Sequence, residues 1–234
     1  MRNAFIGSLM CLSLPVLAAC GSGTGSSQTN PGAANAVFVN NTGARNYFPN
    51  SLGDTWTFVN GNNSADHRIN TVMSTSDNNG QSTLQVVFGD GTKENYLYQI
   101  GNDTADIYQY QYFDSNGQIY KTMTCNPPFP WHLLHPVVGE SYSRTYNSTT
   151  TVLATNATST SSNSKTISII GYETVVTPAG TFVNALKTSY LYANDTYPGY
   201  TWWVSGVGKV KEIFSSSTST PNQTNYELTS YTVH

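Results

Sequence analysis

The chain has 234 residues, only 10% of them charged, and a formal net charge of −3. With no basic excess there is nothing to neutralise a run of phosphates, so nucleic-acid binding has no electrostatic footprint here. Asn, Ser and Thr make up 81 residues, while the strong helix formers are scarce, which weighs against long helices; 16 Tyr, 9 Phe and 4 Trp are enough to build a core and favour strands.

The chain opens with Met1-Arg2-Asn3, an apolar run from Ala4 to Leu17, and then Leu17-Ala18-Ala19-Cys20-Gly21. One cation, a short apolar stretch and a small-residue cleavage site read as an export signal, and the run is too short and too interrupted by Pro15 to serve as a permanent membrane span. A plain secretory site wants small residues at both the first and third positions before the cut, and Leu17 is bulky. Leu-Ala-Ala-Cys instead resembles the lipobox of bacterial lipoproteins. That resemblance implies a diacylglycerol-modified Cys20 as the first residue of the mature chain, a fatty-acyl (palmitate-type) membrane anchor and a place in the bacterial cell envelope. Gly21 stands where Asp would favour inner-membrane retention, which points to the outer membrane if the source is Gram-negative. Two or three acyl chains, at about 0.8 kcal/mol per buried methylene, make such attachment effectively permanent.

Residues 21–36, GSGTGSSQTNPGAANA, carry no aromatic residue and read as a flexible spacer. The expected organisation is a signal peptide at 1–19, the lipidated Cys20 and a flexible tether at 20–44, and an antiparallel β domain at 45–234. Within that domain, short aromatic and β-branched runs predict strands near 54–60, 67–75, 82–89, 93–100, 104–113, 117–124, 140–152, 165–177, 181–193, 199–205, 208–215 and 224–233. Asp77-Asn78-Asn79-Gly80, Gly89-Asp90-Gly91, Asn116-Gly117 and Pro178-Ala179-Gly180 supply turn chemistry between them. The fold class is therefore all-β, an antiparallel open barrel or sandwich of about 10–12 strands with very little helix. The best helical candidate is one turn at Pro130-Trp131-His132-Leu133-Leu134, and the low-complexity stretch 154–164 reads as a long mobile hairpin loop. Leu52-Gly53-Asp54-Thr55-Trp56 echoes Val138-Gly139-Glu140-Ser141-Tyr142. Either a Gly plus an acid is simply a common strand entry, or the domain has two related halves.

Residues 172–187 (YETVVTPAGTFVNALK), 200–212 (YTWWVSGVGKVKE) and 226–231 (YELTSY), with Tyr47-Phe48-Pro49 and Leu52 to Phe58, resemble a recurrent pattern of uncharacterised bacterial lipoproteins. The resemblance covers about half of the mature chain. It implies, more distantly, an open β-barrel similar to the carrier LolA and to the mycobacterial lipid-binding lipoproteins. Those carriers cover the barrel mouth with helices, which this sequence lacks, and no functional residues carry over from them.

Chemistry-bearing motifs are sparse. There is no Gly-x-Ser-x-Gly elbow, and most acids, such as Asp77, Asp90, Asp103 and Asp114, sit beside turn residues. His132 and His135 would share a face of a single helical turn, but a zinc site needs more ligands, and a pair of partly exposed loop histidines is the plainer reading. Cys125 has no partner once Cys11 is cleaved off and Cys20 is lipidated; it reads as a buried thiol. Tyr108, Tyr110 and Tyr112 alternate along a strand and so share one face, while Trp202 and Trp203 point to opposite faces, leaving at least one of them outside the core. These five residues form the candidate binding face. The reading is a non-catalytic, lipid-anchored envelope lipoprotein that binds an apolar ligand or a protein partner, with no cofactor and no metal. A carbohydrate-binding or adhesin-like module and a hydrolase are the alternatives.

Overall fold

The computed structural model describes residues 28–29, 37–39, 46–75, 81–217 and 224–234. The export signal, Cys20, most of the tether and the Asp77–Gly80 turn lie outside them. Two short N-terminal strands, β1 (Gln28–Thr29) and β2 (Val37–Val39), precede β3 (Thr55–Asn60), β4 (Asn63–Thr75), β5 (Gln81–Phe88), β6 (Lys93–Ile100), β7 (Thr104–Phe113), β8 (Ile119–Leu133), β9 (Ser141–Val152), β10 (Ala157–Thr177), β11 (Gly180–Tyr192), β12 (Gly199–Val204), β13 (Gly208–Ile213) and β14 (Asn225–Val233). From β3 onward each strand pairs antiparallel with its sequence neighbour, and β14 pairs back onto β3. The result is a closed twelve-stranded up-and-down barrel. The class and strand count agree with the sequence reading; closure replaces the expected open barrel and removes the edges an open sheet would leave.

Period-two alternation drives this architecture. Trp56, Phe58 and Asn60 on β3, Ser82, Leu84 and Val86 on β5, and Ile167 and Ile169 on β10 are buried, and the residues between them are partly exposed. Bulges re-aim side chains at Met73, Tyr108, Trp131, Val210 and Thr229, each skipped in its ladder, and supply the local twist that closure needs.

The wall splits in two places, and N-terminal segments cover the freed edges. β13 pairs with β14 only over Lys211–Ile213. Beyond that point Ala179 N–H donates to Leu228 O at 2.9 Å, and β1 pairs with Thr232 and Val233. β12 leaves β11 after Leu186, and β2 takes the vacated positions Thr181–Val183 in parallel, stacking Phe38 on Phe182 at 4.9 Å. Both short strands fall in residues 20–44, which the sequence reads as tether.

The corner echo is geometrically real. Gly53 and Gly139 take φ of +87° and +90°, a conformation that favours glycine. Asp54 N–H donates to Ser51 O at 3.0 Å and Glu140 N–H to Val137 O at 3.1 Å; Gly53 N–H reaches Val72 O, and Gly139 N–H reaches Ile169 O. The two corners open β3 and β9, six strands apart, with the same glycine conformation and the same backbone hydrogen-bond pattern.

Two expectations fail. Residues 130–133 are strand and Leu134 is a bend, because Pro127, Pro128 and Pro130 hold the backbone extended and Trp131 is a bulge against β7. Residues 157–164 are not a loop: they pair residue for residue with Thr145–Val152, and only Leu153–Asn156 turn. Serine and threonine stabilise this ladder by bonding across it, as in Thr149–Thr160 at 3.0 Å and, further down the same pair, Ser143–Thr166 at 2.7 Å.

Candidate functional site: a charged cavity inside the barrel

Segment 46–52 seats an aromatic layer in the barrel. Phe48 meets Tyr98 at 5.5 Å and Trp131 at 5.1 Å, both edge-on, and Tyr98 is fully buried with its hydroxyl bonded to Asn50. Trp56 joins this layer and donates its indole N–H to Val207 O at 2.6 Å. Next to this layer, with Trp131, Trp203 and Lys209 on the boundary, lies a cavity of about 390 Å³. Small-molecule sites fall in the range of about 300–1,000 Å³. Tyr96, Tyr110, Phe129, Tyr190 and Tyr192 line its flanks, and the loop residues Asp195 and Ser215 line it where the β11–β12 and β13–β14 connections meet. Tyr96 packs edge-on against Tyr110 at 4.8 Å, and Phe129 stacks on Tyr146 at 4.8 Å.

Charge is concentrated in this interior. Arg68, Lys165, Lys209 and Glu212 all line the cavity; Arg68, Lys165 and Glu212 are buried, and the Lys209 side chain is 11% exposed. Glu212 Oε2 accepts from Arg68 Nη2 at 2.5 Å and from Lys209 Nζ at 2.8 Å. Burial alone would raise its carboxyl; Lys209 and Arg68 outweigh burial and hold it down at about 2. Burial pushes Lys209 down to about 8 against the pull of Glu212. Among the described residues the Lys165 ammonium has neither an ion pair nor a hydrogen bond: it lies 5.2 Å from the Phe129 and Tyr190 rings and 5.4 Å from Tyr192. Burial, with repulsion from Lys209 adding to it and Glu212 opposing, brings it to about 8. His132 lies tilted against Trp203 with ring centroids 3.9 Å apart; burial first, then Lys165 and Lys209, push its imidazole down to about 3, so it is neutral. Two buried nitrogens, His132 Nε2 and Arg68 Nε, have no hydrogen-bond partner.

The residues singled out from the sequence scatter around this cavity. The β7 bulge breaks the tyrosine row: Tyr110 lines the cavity and Tyr112 stacks beside it at 6.4 Å, but Tyr108 turns outward toward Gln81. The three therefore do not share a face. Trp202 and Trp203 do point apart, yet both are buried. Trp203 lines the cavity, whereas Trp202 turns away from it, donates to Glu173 Oε1 at 2.6 Å and lies beneath Lys187 and Lys211. His132 is not a partly exposed loop residue but a buried strand residue; only His135 is exposed. Cys125 is a free, buried thiol, and burial pushes it up to about 11. Cys20 lies outside the described residues. Among the described residues, no three of His, Cys, Asp and Glu gather as a metal site.

Arg68, Lys165, Lys209 and Glu212 were missed. One signal was available: Lys165 is in phase with the apolar Ile167 and Ile169 and Arg68 with Val72, so each falls on the inward face of its strand.

No protein-family model matches the chain, and no curated protein matches it in sequence. Three solved structures resemble it. A protein of Bacteroides fragilis described as exported, with a YmcC-like fold, is 16% identical over 80% of this chain and 95% of its own, with a TM-score of 0.44. A protein of Parabacteroides distasonis described as a lipoprotein is 18% identical over 81% and 97%, with a TM-score of 0.42. The hypothetical lipoprotein YmcC of Escherichia coli is 11% identical over 81% and 89%, with a TM-score of 0.40. Likeness at this level carries no functional conclusion to this chain.

Proposed function

We propose that the chain is a non-catalytic lipoprotein of the bacterial cell envelope, anchored through acylated Cys20, whose barrel holds a small ligand with an apolar body. The observation that carries the binding role is the aromatic-lined cavity of about 390 Å³ inside a closed wall. Its chemistry argues for holding rather than reacting. Glu212 is committed to two cations, His132 is neutral and clamped between rings, and the Cys125 thiol stays protonated. A sugar-binding or adhesin-like surface would need an outward aromatic platform, and Tyr110, Tyr112 and Trp203 turn inward.

The uncharged dye N-phenyl-1-naphthylamine tests the cavity. It is expected to bind the chain carrying Cys20→Ala, which leaves no lipid to compete for the dye, with one site and enhanced fluorescence. No saturable binding would remove the ligand-holding role. The anchor is tested separately by metabolic labelling with a radioactive fatty acid: Cys20→Ala is expected to abolish the label, and label retained by the variant would end the lipoprotein reading.

A further inference from the structure

We infer that the cavity selects an anion: a small molecule with a flat apolar or aromatic body and one carboxylate, sulfonate or phosphate group, whose negative charge is received by Lys165. This inference rests on the cavity being a binding site, as proposed above, and adds the charge of what it holds.

The argument begins from the count of buried charges. Three cations, Arg68, Lys165 and Lys209, face one buried carboxylate, Glu212. Arg68 and Lys209 both bond the same oxygen of Glu212, so the carboxylate is shared between those two and leaves Lys165 with no counter-ion. Ring faces of Phe129, Tyr190 and Tyr192 surround the Lys165 ammonium at 5.2–5.4 Å, which offsets only part of the cost of removing a charge from water. Buried ions without a partner are avoided in cores, where an aliphatic residue in phase with Ile167 and Ile169 would serve better. An anion in the cavity would supply the missing partner.

Two further groups point the same way. His132 Nε2 and Arg68 Nε line or border the cavity, are buried, and have no hydrogen-bond partner. The Arg68 N–H is a donor, and neutral His132 becomes one in the tautomer protonated at Nε2. With Lys165 they place three donors on the cavity lining, while Tyr96, Tyr110, Phe129 and Trp131 offer ring surface for the rest of the ligand. The remaining carboxylate on the lining, Asp195, sits at the partly exposed loop end.

A matched pair of dyes separates charge from shape. 8-Anilinonaphthalene-1-sulfonate and N-phenyl-1-naphthylamine share one aromatic skeleton and differ by the sulfonate. Fluorescence titration of the Cys20→Ala chain is expected to show the sulfonate binding at least tenfold more tightly. Lys165→Met, which keeps the length and apolar stem, should cost the sulfonate tenfold or more and the uncharged dye less than threefold; Lys165→Arg, which keeps the charge, should recover most of the loss. Equal binding of the two dyes, an unchanged sulfonate affinity in Lys165→Met, or an equal loss in Lys165→Arg and Lys165→Met would overturn the anion inference while leaving the cavity reading intact. Failure of both dyes to bind would overturn the cavity reading and the anion inference with it.

Discussion

Glu212→Gln is expected to lower the thermal midpoint by on the order of 10 °C. Among the described residues the carboxylate is the only buried counter-ion for Arg68 and Lys209, and it also favours the charged form of Lys165. Removing one partner of a buried ionic group leaves the others desolvated and uncompensated, at about 3–5 kcal/mol. In a domain of this size each kcal/mol moves the midpoint by about 2–4 °C. Adding Lys209→Met to Glu212→Gln should recover a large part of the loss, because it removes one of the stranded cations. The pH dependence follows from the same group. Its folded pKa lies at about 2, below the ordinary 4.5, so its stabilising contribution is complete above pH 4.5 and is lost as pH falls through about 2. Glu212→Gln should therefore unfold with a shallower acid limb than the parent in that window. A variant as stable as the parent, with the same acid limb, would show that the charge cluster is not formed as described.

The strands were legible because alternation, turn chemistry and composition pointed to one answer at nearly every position. The Asn116-Gly117 and Gly89–Gly91 turns take the positive φ that their glycines predicted, and the Gly53 and Gly139 corners matched in backbone geometry as well as in letters. The failures share a cause. At 130–134 a short run between Pro128 and Pro136 was the best candidate for a helical turn, but three prolines within four positions remove backbone donors and favour extended conformations. At 157–164 low complexity suggested disorder, yet Ser and Thr side chains carry both β-propensity and the hydroxyls that bond across a ladder. Closure could not be read from the sequence, since it depends on β14 meeting β3 across the whole length of the domain.

The cavity was much less legible. Bulges decide which side chains enter it, and a one-residue bulge leaves no mark in a period-two pattern. Tyr108 was assigned to the face of Tyr110 and lies outside because of one. Lys209 and Glu212 both point inward although they stand three positions apart, because Val210 is skipped between β12 and β13. Lys165 and Arg68 were in phase with apolar neighbours, but a lysine beside a polar tract is most often a solvated residue, and only the assembled barrel brings it against Phe129, Tyr190 and Tyr192.

Lys165→Met is expected to stabilise the ligand-free protein, by on the order of 2 kcal/mol and about 5 °C in midpoint. The wild-type ammonium is buried without a counter-ion, so the fold carries its desolvation cost. Burial lowers its pKa most, Glu212 opposes and Lys209 adds repulsion, which leaves it at about 8 against an ordinary 10.5. Below pH 8 the lysine is protonated in both the folded and unfolded states, and the cost is present in full. Between pH 8 and 10.5 the folded lysine gives up its proton while the unfolded one keeps it; the unfolded state then binds more protons, and stability rises with pH. Lys209, also near 8, contributes with the same sign. Above about pH 10 the buried tyrosines Tyr96, Tyr110 and Tyr190, whose phenols burial holds above their usual range, reverse the trend. The window is therefore pH 8 to 10. There the parent should gain stability in denaturant titrations, and Lys165→Met should keep only the part due to Lys209. Because Met keeps the stem, a destabilised variant would show instead that the ammonium itself is favourably held among the rings. A lysine retained to receive an anion gives a variant that is more stable when empty and a poorer binder of the sulfonate dye, and that opposition between stability and binding is the result to look for.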